Sequence, residues 1–237
     1  MIKNYKAIIL AGGYGTRYNR YKKNKILKPL VKVNKISILE RVIQIYRNQG
    51  IKKFILLGGY KFDGLNKFSV NLQNKFEDLS VEAIFTGINT NTAGRLMKIK
   101  NKFKKNEIFF FTYGDSLANF NLKKSLKLKN KKNFVISLHR YAFPYGDLNV
   151  SKNKLTKIYE KNKRIPINAG FYTLDKTIFE YIKTFDESFE KKTINKIIKK
   201  KKKKFNFLEV SKWLPMDSIY DQKRIESELK KNEKLFN

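Results

Sequence analysis

The chain of 237 residues has no cysteine and a single histidine, His139. Without thiols there is no disulfide framework, no cysteine nucleophile and no thiolate metal site. One imidazole excludes a histidine-cluster metal site and leaves no ready basis for a Ser-His-Asp apparatus. Acidic residues are scarce too, 20 against 53 lysines and arginines. Proline occurs 4 times, and no Pro/Gly/Ser-rich linker or internal repeat divides the chain. The longest apolar runs, such as residues 7–11 and 108–111, are far too short to cross a bilayer. The stretch after residues 1–6 runs straight into glycines and lacks the length of a signal peptide's apolar region. The expected compartment is therefore cytoplasmic. Phosphate, carboxylate and amine chemistry remain.

Apolar residues make up 41% of the chain and aromatic residues 14%, enough for a sizeable core and against wholesale disorder. A net charge of +33 attracts nucleic acid, anionic membrane or phosphorylated small molecules. Lysine is spread over nearly the whole chain, however, beside many Asn and Ile. The charge reads first as compositional drift on solvated faces, and the run at 199–204 as a solvated helix end and loop. No specific nucleic-acid or membrane partner is expected. A non-catalytic polyanion- or RNA-binding protein is the competing class.

Short apolar runs at 6–10, 54–57, 81–85 and 108–112 read as buried strands. Helical spacing at 38–46, 96–103 and 122–128 lies between or after them. Alternation of this kind predicts βαβ units and a mainly parallel sheet. Further on, 133–138 and 169–174 read as strands, and 148–150 with 155–159 as an antiparallel hairpin. Asp175 is the expected N-cap of a helix; 193–199 and 218–231 read as further helices. The fold class is α/β: one domain over 1–237, with a mixed, mainly parallel sheet and a small C-terminal elaboration. Its two halves cover about 1–130 and about 131–237.

The sharpest feature is Leu10-Ala11-Gly12-Gly13-Tyr14-Gly15-Thr16-Arg17, directly after the first strand. Ligands of open α/β sheets lie beyond the carboxyl ends of strands, and glycines there bring backbone N–H groups close to an anion. Thr16 adds a hydroxyl, Arg17 a planar cation, and Lys28-Pro29 a second cation one loop later. The string is neither a P-loop nor a dinucleotide fingerprint.

This string resembles the L-A-G-G-x-G-T-R and following K-P of the sugar-1-phosphate nucleotidylyltransferases. The resemblance implies their Rossmann-like, glycosyltransferase-A-like fold. It also implies a loop that cradles a nucleoside triphosphate, with Arg17 and Lys28 on its phosphates. Residues 35–39 match the family's G-K-P-I-L stretch, with Asn34 and Ser37 departing from it. Thr90-Asn91-Thr92-Ala93-Gly94-Arg95-Leu96 is similar to the T-x-T-G-G-R-L of the glucose-1-phosphate cytidylyltransferases. Phe111-Thr112-Tyr113-Gly114-Asp115, Ile167-Asn168-Ala169-Gly170-Phe171 and Trp213-Leu214-Pro215-Met216-Asp217 match three further strings in order. Ala93 and Ala169 replace glycines, each expected to add a methyl near the ligand, and the region 61–85 is shorter than the family's.

On this resemblance Leu10, Ala11, Gly12, Gly13, Gly15, Thr16, Arg17, Lys28 and Gly114 bind the nucleotide. Thr90, Thr92, Gly94 and Arg95 do so at the base and ribose. Asp115 and Asp217 are the Mg²⁺ ligands, and with Arg17 and Lys28 they form the catalytic set. Glu160, Lys161, Asn168 and Gly170 meet the sugar phosphate. Magnesium suits the task, because it prefers oxygen ligands and needs only one or two carboxylates. The implied reaction joins an NTP, CTP on the subgroup pattern, to α-glucose 1-phosphate. Other hexose or heptose 1-phosphates with GTP or UTP are the alternative. A homo-oligomer is expected. His139 reads as structural, Trp213 as packing, and no general base is needed.

Overall fold

The computed structural model describes residues 2–20, 23–160, 163–232 and 236. Its centre is a seven-stranded sheet. In chain order the strands are β1 (Lys6–Leu10), β2 (Lys53–Gly58), β3 (Ser80–Phe85), β4 (Ile108–Tyr113), β5 (Asn133–Ala142), β6 (Arg164–Asp175) and β7 (Lys204–Glu209). Their order across the sheet is β7-β5-β6-β4-β1-β2-β3. β1 pairs in parallel with β2 and β4, and β2 with β3. β6 runs against both neighbours, β4 and β5, while β7 is parallel to β5. The sheet is thus mixed and mainly parallel, with strands from both halves of the chain.

Both faces are covered, which is why the inner strands read as unbroken apolar runs rather than alternating ones. Along β1, Ala7 and Ile9 enter one core while Ile8 and Leu10 enter the other. Phe110 packs on the first side, Phe109 and Phe111 on the second. Helix α1 (Ile38–Arg47) lies on the first face. Its Ser37 cap accepts the Glu40 N–H at 3.1 Å, a Ser-x-x-Glu start. α3 (Thr92–Met97) and the segment Phe189–Ile194 cover the other face.

Several elements depart from the sequence reading. The helix expected over 96–103 is instead α3, beginning at Thr92 under an Asn91 cap, followed by a 3₁₀ turn Lys100–Lys102. Region 61–85 holds a 14-residue helix, α2 (Phe62–Lys75), whose start carries no side-chain cap to announce it. α4 (Leu122–Leu128) lies where expected. So does the hairpin Asp147–Ser151 with Lys154–Tyr159. Asp175 caps a 3₁₀ helix, Lys176–Tyr181, rather than an α-helix. The lysine run is not wholly solvated: Lys203 turns inward onto Asp175 at 3.0 Å, and Lys204 begins β7. α5 (Ile219–Lys231) starts in a capping box of Ser218 and Asp221. Among the described residues no helix is long and apolar enough to cross a membrane.

Candidate active site

A cleft of about 460 Å³ opens at the carboxyl ends of β1 and β4. Its floor is the glycine loop, residues 10–17. The loop is held from below. The Ala11 N–H donates to Leu57 O at 2.9 Å, and the Tyr60 N–H to Gly12 O at 3.1 Å. Gly15 has φ +59°, a left-handed conformation that favours glycine, where it opens the helical turn Thr16–Asn19. Asn19, buried, ties the loop's far end. Its Nδ2 donates to Tyr14 O and Ile26 O at 3.0 and 2.8 Å, and its Oδ1 accepts the Ile26 N–H at 3.1 Å. Nothing in spacing or composition marked Asn19; only the return of residue 26 to the loop gives it a role.

Arg95 lines the cleft with Thr90 and Thr92, but its guanidinium turns under the loop and is buried. Nη1 donates to Gly58 O at 2.8 Å, Thr86 Oγ1 at 2.7 Å and Gly87 O at 2.8 Å. Nη2 donates to Gly12 O and Ile88 O, both at 3.1 Å. Burial lowers its pKa from the ordinary value, with Tyr14 acting in the opposite sense. The fork of donors collects carbonyls from three segments and so fixes the cleft's floor. A Cβ on Gly12 would lie 2.6 Å from Nη1, so a glycine is needed there for the guanidinium to fit.

Gly94 and Gly114 are also packing positions, outside the cleft lining. Gly94 lies against the Phe185 carbonyl. Gly114 donates its N–H to Leu10 O at 2.9 Å. Ala93 and Ala169 are buried in the apolar cores, outside the cleft lining. Thr90 and Thr92 line the cleft as expected. Tyr14 joins its two rims by donating to Asn89 Oδ1 at 3.2 Å.

Asp115 and Asp217, 102 positions apart in sequence, meet at one nitrogen. Lys28 Nζ lies 2.6 Å from Asp115 Oδ2 and 3.0 Å from Asp217 Oδ1. Arg17 Nη1 lies 2.8 Å from Asp217 Oδ2. The cause is a small antiparallel pair, Ser116–Ala118 with Trp213–Pro215, continued by the Met216 N–H donating to Asp115 O at 2.9 Å. The helix cap is Ser218, which leaves Asp217 free to face Lys28. Burial alone would lower the Lys28 pKa, but Asp115 and then Asp217 outweigh it and leave it raised.

Asn168 and Gly170, expected to meet the sugar phosphate, sit in an irregularity of the β6–β5 register, between Asn168 and Tyr172. The Phe171 N–H there donates to Ser137 Oγ at 2.9 Å. Bulges of this kind re-aim side chains beside sites. Glu160 is exposed just past the hairpin, outside the cleft lining. Lys161 lies outside the described residues. His139 is structural, its Nδ1 2.9 Å from Val210 O and its ring 6.1 Å from that of Trp213.

The nucleotidyl transferase family model matches residues 6–222, and the chain belongs to that family, among the sugar-1-phosphate nucleotidylyltransferases. It is 30% identical over 216 residues to a probable glucose-1-phosphate cytidylyltransferase of Bacillus subtilis, covering 82% of this chain and 84% of the relative. It is 27% identical to the glucose-1-phosphate cytidylyltransferase of Salmonella typhi, covering 93% and 94%. To the D-glycero-alpha-D-manno-heptose 1-phosphate guanylyltransferase of Campylobacter jejuni it is 32% identical, covering 73% and 77%. In fold it is similar to HddC from Yersinia pseudotuberculosis complexed with GMP-PN, at TM-score 0.72 and 23% identity, covering 95% of this chain and 99% of that one.

Proposed function

We propose that the enzyme transfers a cytidylyl group from CTP to α-glucose 1-phosphate, giving CDP-glucose and pyrophosphate. The observation that carries the nucleotidyl-transfer chemistry is the meeting of Asp115 and Asp217 at Lys28 Nζ beside the glycine loop. The choice of CTP and glucose 1-phosphate is supported by the cytidylyltransferase relatives and by the Thr90–Leu96 string.

In this reading an oxygen of the sugar phosphate forms a bond to the α-phosphorus while the bond to the β-phosphate oxygen breaks. The attacking oxygen is already ionised near neutral pH, so no general base is assigned. The task is to align two polyanions and offset their repulsion. Arg17 and Lys28 are the cations at hand for the triphosphate and for the charge gathering on pyrophosphate. The donor set fits magnesium. Asp115 and Asp217 already gather round one positive charge, and their side chains are 29% and 35% exposed, hence open to an incoming ion. Mg²⁺ held there would supply charge neutralisation between the two phosphates. Phosphates arriving at the loop offer Lys28 and Arg17 new partners and free the carboxylates for the metal.

A second reading keeps the reaction and changes the substrates to GTP and a heptose 1-phosphate. It is favoured by the 32% identity to the guanylyltransferase. Pyrophosphate release measured with four NTPs and a panel of sugar 1-phosphates separates the two. Turnover with GTP or UTP and none with CTP rejects the cytidylyl assignment.

A further inference from the structure

One half-buried carboxylate beside the cleft has no part in that chemistry. Glu190 lies on the short π-helix Phe189–Ile194, a rare winding that is frequent at functional sites. Its Oε1 accepts the hydroxyl of Tyr113 and, at 3.1 Å, that of Tyr172. The Tyr172 oxygen accepts from Asn168 Nδ2 at 2.6 Å, and Asn168 Oδ1 accepts the Gly170 N–H at 2.9 Å. Tyr113, at the other end, lines the cleft with Asp115.

The chain of bonds has one polarity. An ionised carboxylate only accepts, so both phenols donate to it. The Tyr172 oxygen is then left to accept, which turns the Asn168 amino group toward Tyr172 and its carbonyl toward Gly170. Burial first, then the charge of Glu190, holds the Tyr172 phenol well above the ordinary tyrosine range, so this donor stays protonated. The same segment is tied to the nucleotide side without the Glu190 side chain. The Phe189 N–H donates to Thr92 Oγ1 at 2.7 Å, the Ala93 N–H to Glu187 O at 3.0 Å, and the Asn91 N–H to Phe185 O at 3.1 Å.

We propose that Glu190 is a positioning residue for the sugar 1-phosphate, fixing through Tyr172 and Tyr113 the amide of Asn168 and the cleft wall beside Asp115. The inference rests on the nucleotidyl-transfer reading above, with Asn168 facing the sugar. It sets Glu190 apart from a residue that merely holds the fold, because its side chain leads through Tyr172 to Asn168, whereas its segment's ties to Asn91, Thr92 and Ala93 run through backbone groups of that segment.

The test is steady-state kinetics of Glu190→Ala, Glu190→Gln and Tyr172→Phe with the NTP and sugar 1-phosphate that the wild-type protein turns over best. Glu190→Ala raises KM for the sugar 1-phosphate about tenfold, the scale of one lost hydrogen bond to a charged group, and moves KM for the NTP by less than about twofold. Tyr172→Phe shifts the sugar KM in the same direction. Glu190→Gln, whose Oε1 can still accept both hydroxyls, recovers most of the loss. An unchanged sugar KM in Glu190→Ala, or equal rises in both KM values, overturns the inference. Should Glu190→Ala fail to fold, an unchanged sugar KM in Tyr172→Phe overturns it instead. Wild-type protein inert with every substrate pair overturns the nucleotidyl-transfer reading and this inference together; normal wild-type turnover with a silent Glu190→Ala overturns this inference alone.

Discussion

Two of the lysine–aspartate clusters among the described residues are opposite in composition and in exposure. At the cleft, Lys28 stands between Asp115 and Asp217, with Arg17 on the outer carboxylate. Beneath the sheet edge, Asp175 stands between Lys129 at 2.6 Å and Lys203 at 3.0 Å, and both ammonium groups also lie over the Phe134 ring. The Asp175 and Lys129 side chains are 8% and 2% exposed. This second cluster ties the end of β6, the end of α4 and the approach to β7. The pairwise attraction is the same in both, but solvent access differs. Open carboxylates can trade a lysine for a metal ion or lose it to a phosphate. A sealed carboxylate that loses its partners is left as an uncompensated buried charge. Ion clusters of one chemistry thus divide into exchangeable and structural ones by exposure.

The comparison can be broken by substitution. The largest effect belongs to Asp115→Asn, which replaces an anionic ligand of the proposed Mg²⁺ with a neutral one. Turnover falls by at least about a hundredfold while the thermal midpoint stays near that of the wild type. Pyrophosphate release and thermal unfolding read the two quantities, and full turnover would remove Asp115 from the exchangeable class. Asp175→Ala does the converse: it costs about 3 kcal/mol in urea unfolding and leaves turnover per folded molecule intact.

Acid titration sharpens the second case. Burial alone would raise the Asp175 pKa, but hydrogen bonds from Lys129, Thr177 and Lys203 outweigh it and leave it lowered. A lowered carboxylate stabilises the fold fully above its unfolded value, about 3.9, and loses that contribution as pH falls through the folded value. Urea unfolding between neutral pH and about pH 3 therefore shows a steeper acid decline in the wild type than in Asp175→Ala. The smallest effect is that of Arg140→Ala. Its 3.2 Å pair with Glu209 has both side chains nearly half exposed, and its removal shifts stability by under about 1 kcal/mol.

The first half of the chain was the more legible. Its inner strands, β1, β2 and β4, are buried on both faces, so their apolar runs stand out, and the glycine loop follows the first of them. The second half was harder for physical reasons. β6 extends back to Arg164 through a register irregularity, and only its buried end, 169–174, read as a strand. β7 starts inside a lysine run because its outer face is exposed. α2 was missed because Lys61 opens it in a left-handed conformation without a capping side chain. Of the site, the glycine loop, Lys28, Thr90 and Thr92 were legible as residues lining one cleft. Arg95 was legible as a cleft residue but its hydrogen-bond partners were not, since a motif records which residue is present and not which way its guanidinium turns. Glu190 and Asn19 carried no signal, because their partners lie on other elements.

The amino-acid sequence alone determined the class of fold, through apolar runs of strand length set between helical periods. It also set out the glycines and cations of the first turn, on which the proposed phosphate binding rests, because these are local properties of the chain. Tertiary structure alone decided that Asp217 comes to Asp115, through a three-residue strand pair too short to register in any pattern. It alone decided that Arg95 faces inward and that one lysine–aspartate cluster is open while the other is sealed. Those outcomes depend on which carbonyls and side chains distant segments bring within about 3 Å, and hydrogen-bond geometry at that range is fixed only when the whole fold has closed around it.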